Sequence, residues 1–388
     1  MSKGKSFSDR SLVGKILFIV LWALVGVIVL SLVTAAAYVS YVSIQYYRIE
    51  DNLDLSADIN NKSSLHVETN HDYSITSLNI GFGAYEADYD FFMDSGEMLD
   101  GKKVYGTHGK ALSVDRCYKN TNGLLDAIKP MNSDFYLIQE IDTDSTRSYH
   151  INQVEAFCEG LADYSSVYGV NYHSAFLAYP IFDMFGAANS GLLTFSKYQM
   201  DSATRRSYPI DDSFPNKFFD LDRCFTVSRF QVGEKQLVIG NSHMSGYDEG
   251  GKIRNLQLEF LNAFLTEEKA KGNYVIIGGD FNHALIDSDD GAPNENVDLW
   301  FEHQQKHPAW VAELNDTQLA EGYKVKAAYN APTCRAAEMA YKKGVNYVTT
   351  IDGFVISDNI EVSDIHNIDL EFAHSDHNPA QMTFSLKA

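Results

Sequence analysis

Cysteine is scarce in this sequence and follows no pattern. The four residues, Cys117, Cys158, Cys224 and Cys334, include no CxxC pair. They are too few for a small fold held together by a disulfide framework. Disordered and fibrous proteins are excluded as well, because 45% of the 388 residues are hydrophobic and 13% are aromatic, which is enough for a sizeable core.

Basic residues are also in deficit. The chain has 31 Lys and Arg against 52 Asp and Glu, for a net charge of −21. Residues 1–15 carry a net +3, so the rest of the chain carries −24. A body this acidic is a poor electrostatic match for a long nucleic-acid duplex, although a local basic groove would still permit contact.

Charged residues are absent between Lys15 and Arg48. The apolar run over 16–42 exceeds the roughly 20 residues that a membrane-spanning helix needs. Because four basic residues precede it, we expect a single-pass signal anchor with residues 1–15 in the cytoplasm and the body outside. A cleaved signal peptide, with Ala35 and Ala37 near the cleavage site, would instead release a secreted body, and a buried core helix is the third interpretation.

The remainder divides into a polar linker over 43–72, rich in Asp, Asn and Ser, and one α/β domain over 73–388. Short runs rich in β-branched and aromatic residues alternate there with helical patterns. The predicted helices are Ser113–Ile128, Asn152–Leu161 and Ile253–Lys271. The predicted strands are Tyr73–Ile80, Phe135–Gln139, Gly191–Ser196, Phe225–Val232, Gln236–Ser242, Tyr274–Gly278, Thr349–Ile356 and Gln381–Leu386.

Acidic, amide and imidazole side chains stand near the ends of the predicted strands. They are Asn79, Glu140, Asn241, His243, Asp280, Asn282, Asp352, Asp376 and His377. Residues just beyond strand ends gather along one edge of an α/β sheet, where sites form. Carboxylate oxygens suit Mg²⁺, and a His with an Asp partner can transfer a proton, so the set has the parts for metal-assisted phosphoester hydrolysis. Taken singly, each residue could equally cap a helix or tie a loop.

The order of the motifs resembles the endonuclease/exonuclease/phosphatase superfamily. An Asn in the first strand is followed by QE, N-x-H, GDFN, ID and SDHNP, and GDFN and SDH are the most specific of these. The superfamily includes DNase I-like nucleases, abasic-site endonucleases, neutral sphingomyelinases and inositol polyphosphate 5-phosphatases. The resemblance extends from Tyr73 to Leu386 and implies a four-layer α/β/β/α sandwich, here preceded by one transmembrane helix.

The resemblance also implies roles for individual residues. Glu140 is expected to be the main metal ligand, with Asn79 and Asp376 assisting. Asp280 is expected to orient or deprotonate the attacking water, and Asn282 to steady the phosphoryl group.

The remaining roles concern charge on the transferring group. His377 paired with Asp352, together with His243, would stabilise this charge and assist proton transfer. Asn241 and Arg223 are expected to bind substrate, although Arg223 could instead form a structural ion pair. The acid that supports the N-x-H histidine in DNase I-like members has no clear counterpart in the sequence.

These features predict a divalent-metal phosphodiesterase acting outside the cytoplasm. The cofactor is expected to be Mg²⁺, with Mn²⁺ or Ca²⁺ as alternatives. The substrate is expected to be a phosphoester of nucleic acid or of a phospholipid, the membrane contact is the N-terminal helix, and no protein partner is predicted. The alternatives are an inositol-phosphatase-type phosphomonoesterase and a non-catalytic surface binding protein on the same fold.

Overall fold

The computed structural model describes residues 7–218, 222–246, 251–289 and 302–388. The chain divides into two compact units, Met1–Tyr47 and Arg48–Ala388.

The first unit contains one long helix, α1 (Leu12–Gln45). Ser11 caps its start, because the Ser11 hydroxyl accepts a hydrogen bond from Gly14 N at 3.2 Å. An 18-residue window of α1 has a mean hydropathy of 3.1. The helix is long and apolar enough to cross a membrane, and a signal sequence near an N-terminus has the same properties.

The second unit is an α/β domain. Its helices are α2 (Val114–Ile128), α3 (Gln153–Gly160) and α4 (Lys252–Ala270). Its strands are β1 (Leu53–Asp54), β2 (Asp72–Asn79), β3 (Ser95–Glu97), β4 (Lys103–Tyr105), β5 (Phe135–Asp142), β6 (Ser165–Leu177), β7 (Gly186–Ser196), β8 (Ser202–Ser207), β9 (Cys224–Val232), β10 (Lys235–His243), β11 (Tyr274–Asp280), β12 (His283–Ile286), β13 (Ala312–Asn315), β14 (Tyr323–Lys326), β15 (Cys334–Arg335), β16 (Val348–Thr349), β17 (Asp352–Ser357), β18 (Ile360–Asn367) and β19 (Ala380–Leu386).

Two large mixed sheets form the centre of this domain. The seven-stranded sheet has the order β1-β8-β9-β10-β11-β17-β14, and the six-stranded sheet has the order β18-β19-β2-β5-β7-β6. Strands β10 and β11 run parallel, as do β2 and β5, so the carboxyl ends of each pair meet at one edge of their sheet.

The sheets pack face to face with helices outside them. Ile75 and Leu137 of the six-stranded sheet share a core with Ile239 and Ile276 of the seven-stranded sheet. The outer face of the seven-stranded sheet packs on α4, and that of the six-stranded sheet packs on α2 and α3. The predicted α/β/β/α sandwich is therefore confirmed.

Period-two alternation explains this packing. In β10, Leu237 and Ile239 face the core between the sheets, whereas Val238 faces α4. In β17, Phe354 faces the shared core and Val355 faces outward. Each strand is apolar on both faces because each face is covered.

The segment predicted as a polar linker differs from the expectation over its second part. Strand β1 pairs with β8, and Leu55 and Val67 are buried in the core between the sheets. Asn61 both donates to Met200 O and accepts from Met200 N, each at 2.9 Å. Apolar anchors and paired amides thus attach this segment to the domain, which begins at Arg48.

Candidate active site

Strand register brings three of the predicted residues side by side. His243 pairs with Asp280 across β10 and β11, and Asp280 pairs with Asp352 across β11 and β17. Side chains opposite one another on neighbouring strands lie on the same face. His243 Nε2 is accordingly 3.4 Å from Asp280 Oδ2, at the edge where β10 and β11 end.

A β-bulge directs Glu140 into this site. In β5, Leu137 faces the core between the sheets and Ile138 faces the helices, so alternation alone would turn Glu140 towards the helices. The pairing of β5 with β7 shifts register between Ile138 and Ile141, and Glu140 has a positive φ of 51°. A bulge of this kind re-aims a side chain and is common next to active sites.

Asn79 connects the two sheets at the site. Its Nδ2 donates to Glu140 Oε1 at 3.3 Å and to Asp280 Oδ2 at 3.1 Å, while its Oδ1 accepts from Gly81 N at 2.9 Å. In this arrangement Asn79 offers its amide nitrogen to the two carboxylates, which differs from the predicted role of an oxygen ligand.

Two buried carboxyl groups at the site have raised pKa values. Burial raises the pKa of Asp280 to about 7, the charges of Asp352 and Glu140 add to the rise, and the charge of His377 opposes it. Burial likewise raises the pKa of Asp376 to about 6, against the positive charges of His377 and Arg335. Burial therefore disfavours the charged form of both carboxyl groups more than the neighbouring cationic side chains favour it.

His377 and Asp352 form a buried pair. His377 Nδ1 lies 2.8 Å from Asp352 Oδ2, and its Nε2 lies 3.8 Å from Asp280 Oδ2. Burial lowers the pKa of His377, but the Asp352 carboxylate outweighs it and places this pKa well above the ordinary value. His377 is therefore a cation that faces Asp280.

His243 is in the opposite state. Arg223 Nη1 lies 2.8 Å from His243 Nε2, and because a guanidinium only donates, Nε2 accepts. Burial and the charge of Arg223 lower the pKa of His243 well below its ordinary value, so the ring is neutral. In the described part of the chain no acid hydrogen-bonds His243 Nδ1.

The two predicted asparagines occupy different places. Asn282, which has a φ of 50°, lines the site, and its backbone N–H donates to Asp280 Oδ1 at 2.9 Å. Asn241 lies between the sheets instead. It accepts from Gln139 Nε2 at 2.8 Å and donates to Ile138 O at 3.2 Å. Its amide is committed to inter-sheet bonds, which differs from the predicted substrate-binding role.

The site opens into two adjoining cavities. The smaller, of about 180 Å³, is lined by Asp280, Asn282, Asp376 and His377 among others, and the larger, of about 550 Å³, by Phe82, Phe91, Arg147, Tyr172 and Phe185 among others. Both are lined by Tyr85, Met93, Glu140, Arg223 and His243. A bound molecule can therefore contact Asp280 and His377 in the smaller cavity while another part of it occupies the larger cavity.

The donor set fits a hard divalent cation. Glu140, Asp280 and Asp376 all line the smaller cavity and present carboxylate oxygens, which Mg²⁺ prefers. Ligand atoms of Asp280, Asp352 and His377 also lie within 4.8 Å of one another, but His377 and Asp352 already pair with each other. Glu140 and Asp376, with Asp280 beside them, are therefore the better candidates to hold a cation.

Fold and site define a class of protein: a two-sheet α/β/β/α sandwich with an acidic, histidine-containing site at the strand ends. A model of the Endonuclease/Exonuclease/phosphatase family matches residues 77–377. The chain belongs to this family, whose members are phosphoester hydrolases and are mostly metal-dependent.

The chain is similar to several solved structures at low sequence identity. An endonuclease/exonuclease/phosphatase from Beutenbergia cavernae is 14% identical with a TM-score of 0.51, covering 82% of this chain and 72% of that one. The 2′,3′-cyclic phosphatase ANGEL2, in complex with adenosine-2′,3′-vanadate, is 14% identical with a TM-score of 0.51, covering 82% and 96%. D. rerio TDP2 with a single-strand DNA product is 13% identical with a TM-score of 0.49, covering 81% and 100%. No curated protein matches the chain.

Sequence reasoning missed the lining of the larger cavity. Arg147 stacks 3.9 Å above the Phe82 ring and forms a bidentate pair with Asp142. Phe82, Arg147, Tyr172 and Phe185 come from separate parts of the chain and form no periodic pattern. Only the folded structure brings them together.

Proposed function

We propose that this protein is a divalent-metal-dependent phosphodiesterase that acts outside the cytoplasm. The observation that carries the proposal is the convergence of Asp280, the His377–Asp352 pair and the Arg223–His243 pair on one cavity that also contains Glu140 and Asp376. The cationic side chains of His377 and Arg223 here lie beside a compact group of acids, and a phosphoryl group attacked by water requires both positive charge and a proton acceptor.

Glu140 and Asp376 are the residues that would hold the metal, with Asn79 orienting Glu140 through its 3.3 Å hydrogen bond. Mg²⁺ is the expected ion, and when bound it supplies positive charge that offsets the phosphoryl oxygens. The carboxylates of Glu140 and Asp376 fit this ion without any soft ligand.

Asp280 is the proposed group that orients the attacking water and accepts its proton. Its position is fixed from two sides, because Asn282 N donates to Oδ1 and Asn79 Nδ2 donates to Oδ2. A carboxylate held in this way can receive a proton without reorganising.

The nitrogen donors of the site are proposed to stabilise charge on the transferring group. His377 is kept cationic by Asp352, and the always-charged Arg223 lines both cavities beside His243. Asn282 is proposed to contact the same phosphoryl group from the loop after β11. Its side chain is held there because Nδ2 donates to Met244 O at 2.8 Å.

The proposed location of the domain outside the cytoplasm is inferred from α1. An uncleaved α1 is a signal anchor, and the four basic residues before residue 16 orient its N-terminus towards the cytoplasm. The domain from Arg48 onward then lies outside. Cleavage of the helix would release the same domain as a secreted enzyme.

The proposal is tested with the full-length chain, purified in detergent, on bis(p-nitrophenyl) phosphate with Mg²⁺. Asp280→Asn should lower kcat by about 10²-fold or more, because the proton acceptor is lost. Asp358→Asn is the control, since Asp358 is exposed just after β17, at the opposite end of that strand from Asp352. Turnover of Asp280→Asn equal to wild type would overturn the assigned role, and no hydrolysis of any phosphoester with excess metal would overturn the function.

A further inference from the structure

The loop between β6 and β7 ends in a tight turn. Asp183 N donates to Pro180 O at 3.2 Å, and Phe185 N donates to Tyr179 O at 3.1 Å. Ile181 and Phe182 are therefore the two central residues of a β-turn.

This turn exposes large apolar side chains. Phe182 is 102% exposed, Ile181 66% and Tyr179 61%. The central positions of turns are usually occupied by Gly, Pro, Asn, Asp or Ser. Two large, exposed apolar residues at these positions do not help to form the turn. Contiguous exposed apolar groups of this kind mark interaction sites. We call Tyr179, Ile181 and Phe182 the apolar turn.

The apolar turn is fixed in place. The Asp183 carboxylate accepts from Gly109 N at 2.9 Å and pairs with Lys110 at 3.4 Å. The Tyr179 ring packs against Phe92 with centroids 5.5 Å apart. Its exposure is thus a property of an ordered, braced segment.

Aromatic contacts connect the apolar turn to the larger cavity. Phe185 packs on Phe92 at 6.1 Å and on Phe91 at 6.3 Å between ring centroids. Phe185 and Phe91 line that cavity, as does the partly exposed Met93, and the cavity reaches Glu140. Packed aromatic rings therefore connect the apolar turn to the wall of the larger cavity.

We propose that the apolar turn inserts into the surface of a lipid bilayer, so that the phosphodiester of a membrane lipid enters through the larger cavity. Bilayer insertion is inferred from the exposed side chains of the apolar turn, whereas the choice of substrate rests on the proposed function. Aromatic and aliphatic side chains on an ordered element are suited to the boundary between headgroups and acyl chains.

One further observation favours a bilayer as the occupant, and a second indicates the charge of its lipids. Helix α1 is long and apolar enough to span a membrane, and an uncleaved α1 would keep the domain at high effective concentration near a lipid surface. The unit Arg48–Ala388 carries a net charge of −24, which would be repelled by anionic lipids. The proposal therefore specifies a zwitterionic surface such as phosphatidylcholine.

Insertion is tested by spin labelling of the full-length chain in phosphatidylcholine vesicles. Phe182→Cys is labelled in a Cys158→Ser background, because the other three cysteines are buried. The control label is at Glu321→Cys, which is exposed on the turn before β14, at the end of the sheet opposite Asp280. We expect the label at position 182 to be shielded from a water-soluble relaxation agent and accessible to oxygen, and the label at 321 to show the reverse.

Substrate access is tested with Ile181→Ser/Phe182→Ser in the same vesicles, with a fluorescent phosphatidylcholine or sphingomyelin and with bis(p-nitrophenyl) phosphate. We expect at least a tenfold loss of lipid hydrolysis and unchanged hydrolysis of the soluble diester. These substitutions lie on exposed tips and leave the core intact.

Each failure has its own signature. Equal accessibility of the labels at positions 182 and 321 to the water-soluble agent overturns bilayer insertion. Spin–spin broadening of the label at 182 in the absence of lipid also overturns it, because it would show that the turn contacts a second copy of the chain. Equal loss on both diesters overturns the access role. Hydrolysis of neither diester by wild type, with the 182 label still shielded, overturns the proposed function and leaves the insertion standing.

Discussion

His377 Nδ1 lies 2.8 Å from Asp352 Oδ2, and the backbone N–H of Asp352 donates to Thr333 Oγ1 at 3.0 Å. The C-terminal loop that carries His377 is thereby tied to the first residue of β17. This connection holds the imidazole Nε2 3.8 Å from Asp280 and keeps the ring charged. The role that we propose for His377, which is to stabilise charge on the transferring group, depends on this pair.

Asp352→Asn should therefore lower kcat on bis(p-nitrophenyl) phosphate by about 10²-fold or more, because the amide cannot maintain the imidazolium. The surface offers a matched control in His366 and Asp364, whose Nδ1 and Oδ2 are 2.7 Å apart and exposed. Asp364→Asn should leave kcat unchanged. Equal kcat for wild type and Asp352→Asn, measured side by side, would remove the pair from the mechanism.

The side chain of Asp222, the residue before Arg223, is the centre of a buried polar cluster. Its buried carboxylate accepts from Ile49 N at 3.1 Å, pairs with Arg48 Nε at 3.3 Å and contacts His173 Nδ1. Asp222→Asn leaves the Arg48 guanidinium without its countercharge and should lower the free energy of unfolding by about 3 kcal/mol.

The exposed pair of Asp51 and Arg206, 3.1 Å apart, provides the comparison for Asp222. Asp51→Asn should cost less than about 1 kcal/mol. Both variants are compared by denaturant unfolding of the full chain in detergent. Equal midpoints for Asp222→Asn and wild type would show that the buried cluster contributes nothing to stability.

Glu268 predicts a pH-dependent contribution to stability. Burial raises its pKa, but hydrogen bonds from Arg229, Lys271 and Asn273 outweigh this and lower it to about 2. Since the folded pKa is below the ordinary value of 4.5, the stabilisation is fully present above pH 4.5 and is lost as the pH falls through 2.

Glu268→Gln should therefore be less stable than wild type by about 2 kcal/mol at pH 7, and this difference should vanish towards pH 2. Glu321→Gln, at an exposed residue 4.0 Å from Lys269, should match wild type at every pH. Unfolding free energies measured from pH 2 to 7 decide the matter. A difference for Glu268→Gln that is constant across this range would contradict the assigned charge interaction.

Much of the sandwich was predictable because its central strands have apolar side chains on both faces. The predicted strands at 225–232 and 236–242 correspond to β9 and β10, each extended by one or two residues. Strand β6 was missed because Asn171, His173 and Ser174 interrupt any apolar alternation. Strand β8 was missed because it contains Arg205, whose buried guanidinium donates to Val170 O and Asp222 O, contacts that the sequence does not reveal.

The site was predictable to a similar extent. Residues such as His243 and Asp280 end recognisable strands, and strand register alone brings them together. The sequence does not show which way an amide side chain points. The Asn241 amide lies between the two sheets, and Asn79 donates its Nδ2 hydrogen bond to Asp280. These details depend on contacts between residues that are distant in the sequence.

The most direct test of the central claim is the metal dependence of diester hydrolysis by the full-length chain. Hydrolysis of bis(p-nitrophenyl) phosphate is measured after chelation and during back-titration with Mg²⁺, for wild type and Glu140→Gln. We predict no turnover with chelator, recovery with Mg²⁺, and at least a tenfold higher Mg²⁺ requirement for Glu140→Gln, because a principal carboxylate ligand is lost. Turnover that persists in chelator, or identical Mg²⁺ curves for the two proteins, would contradict a metal-dependent site at Glu140.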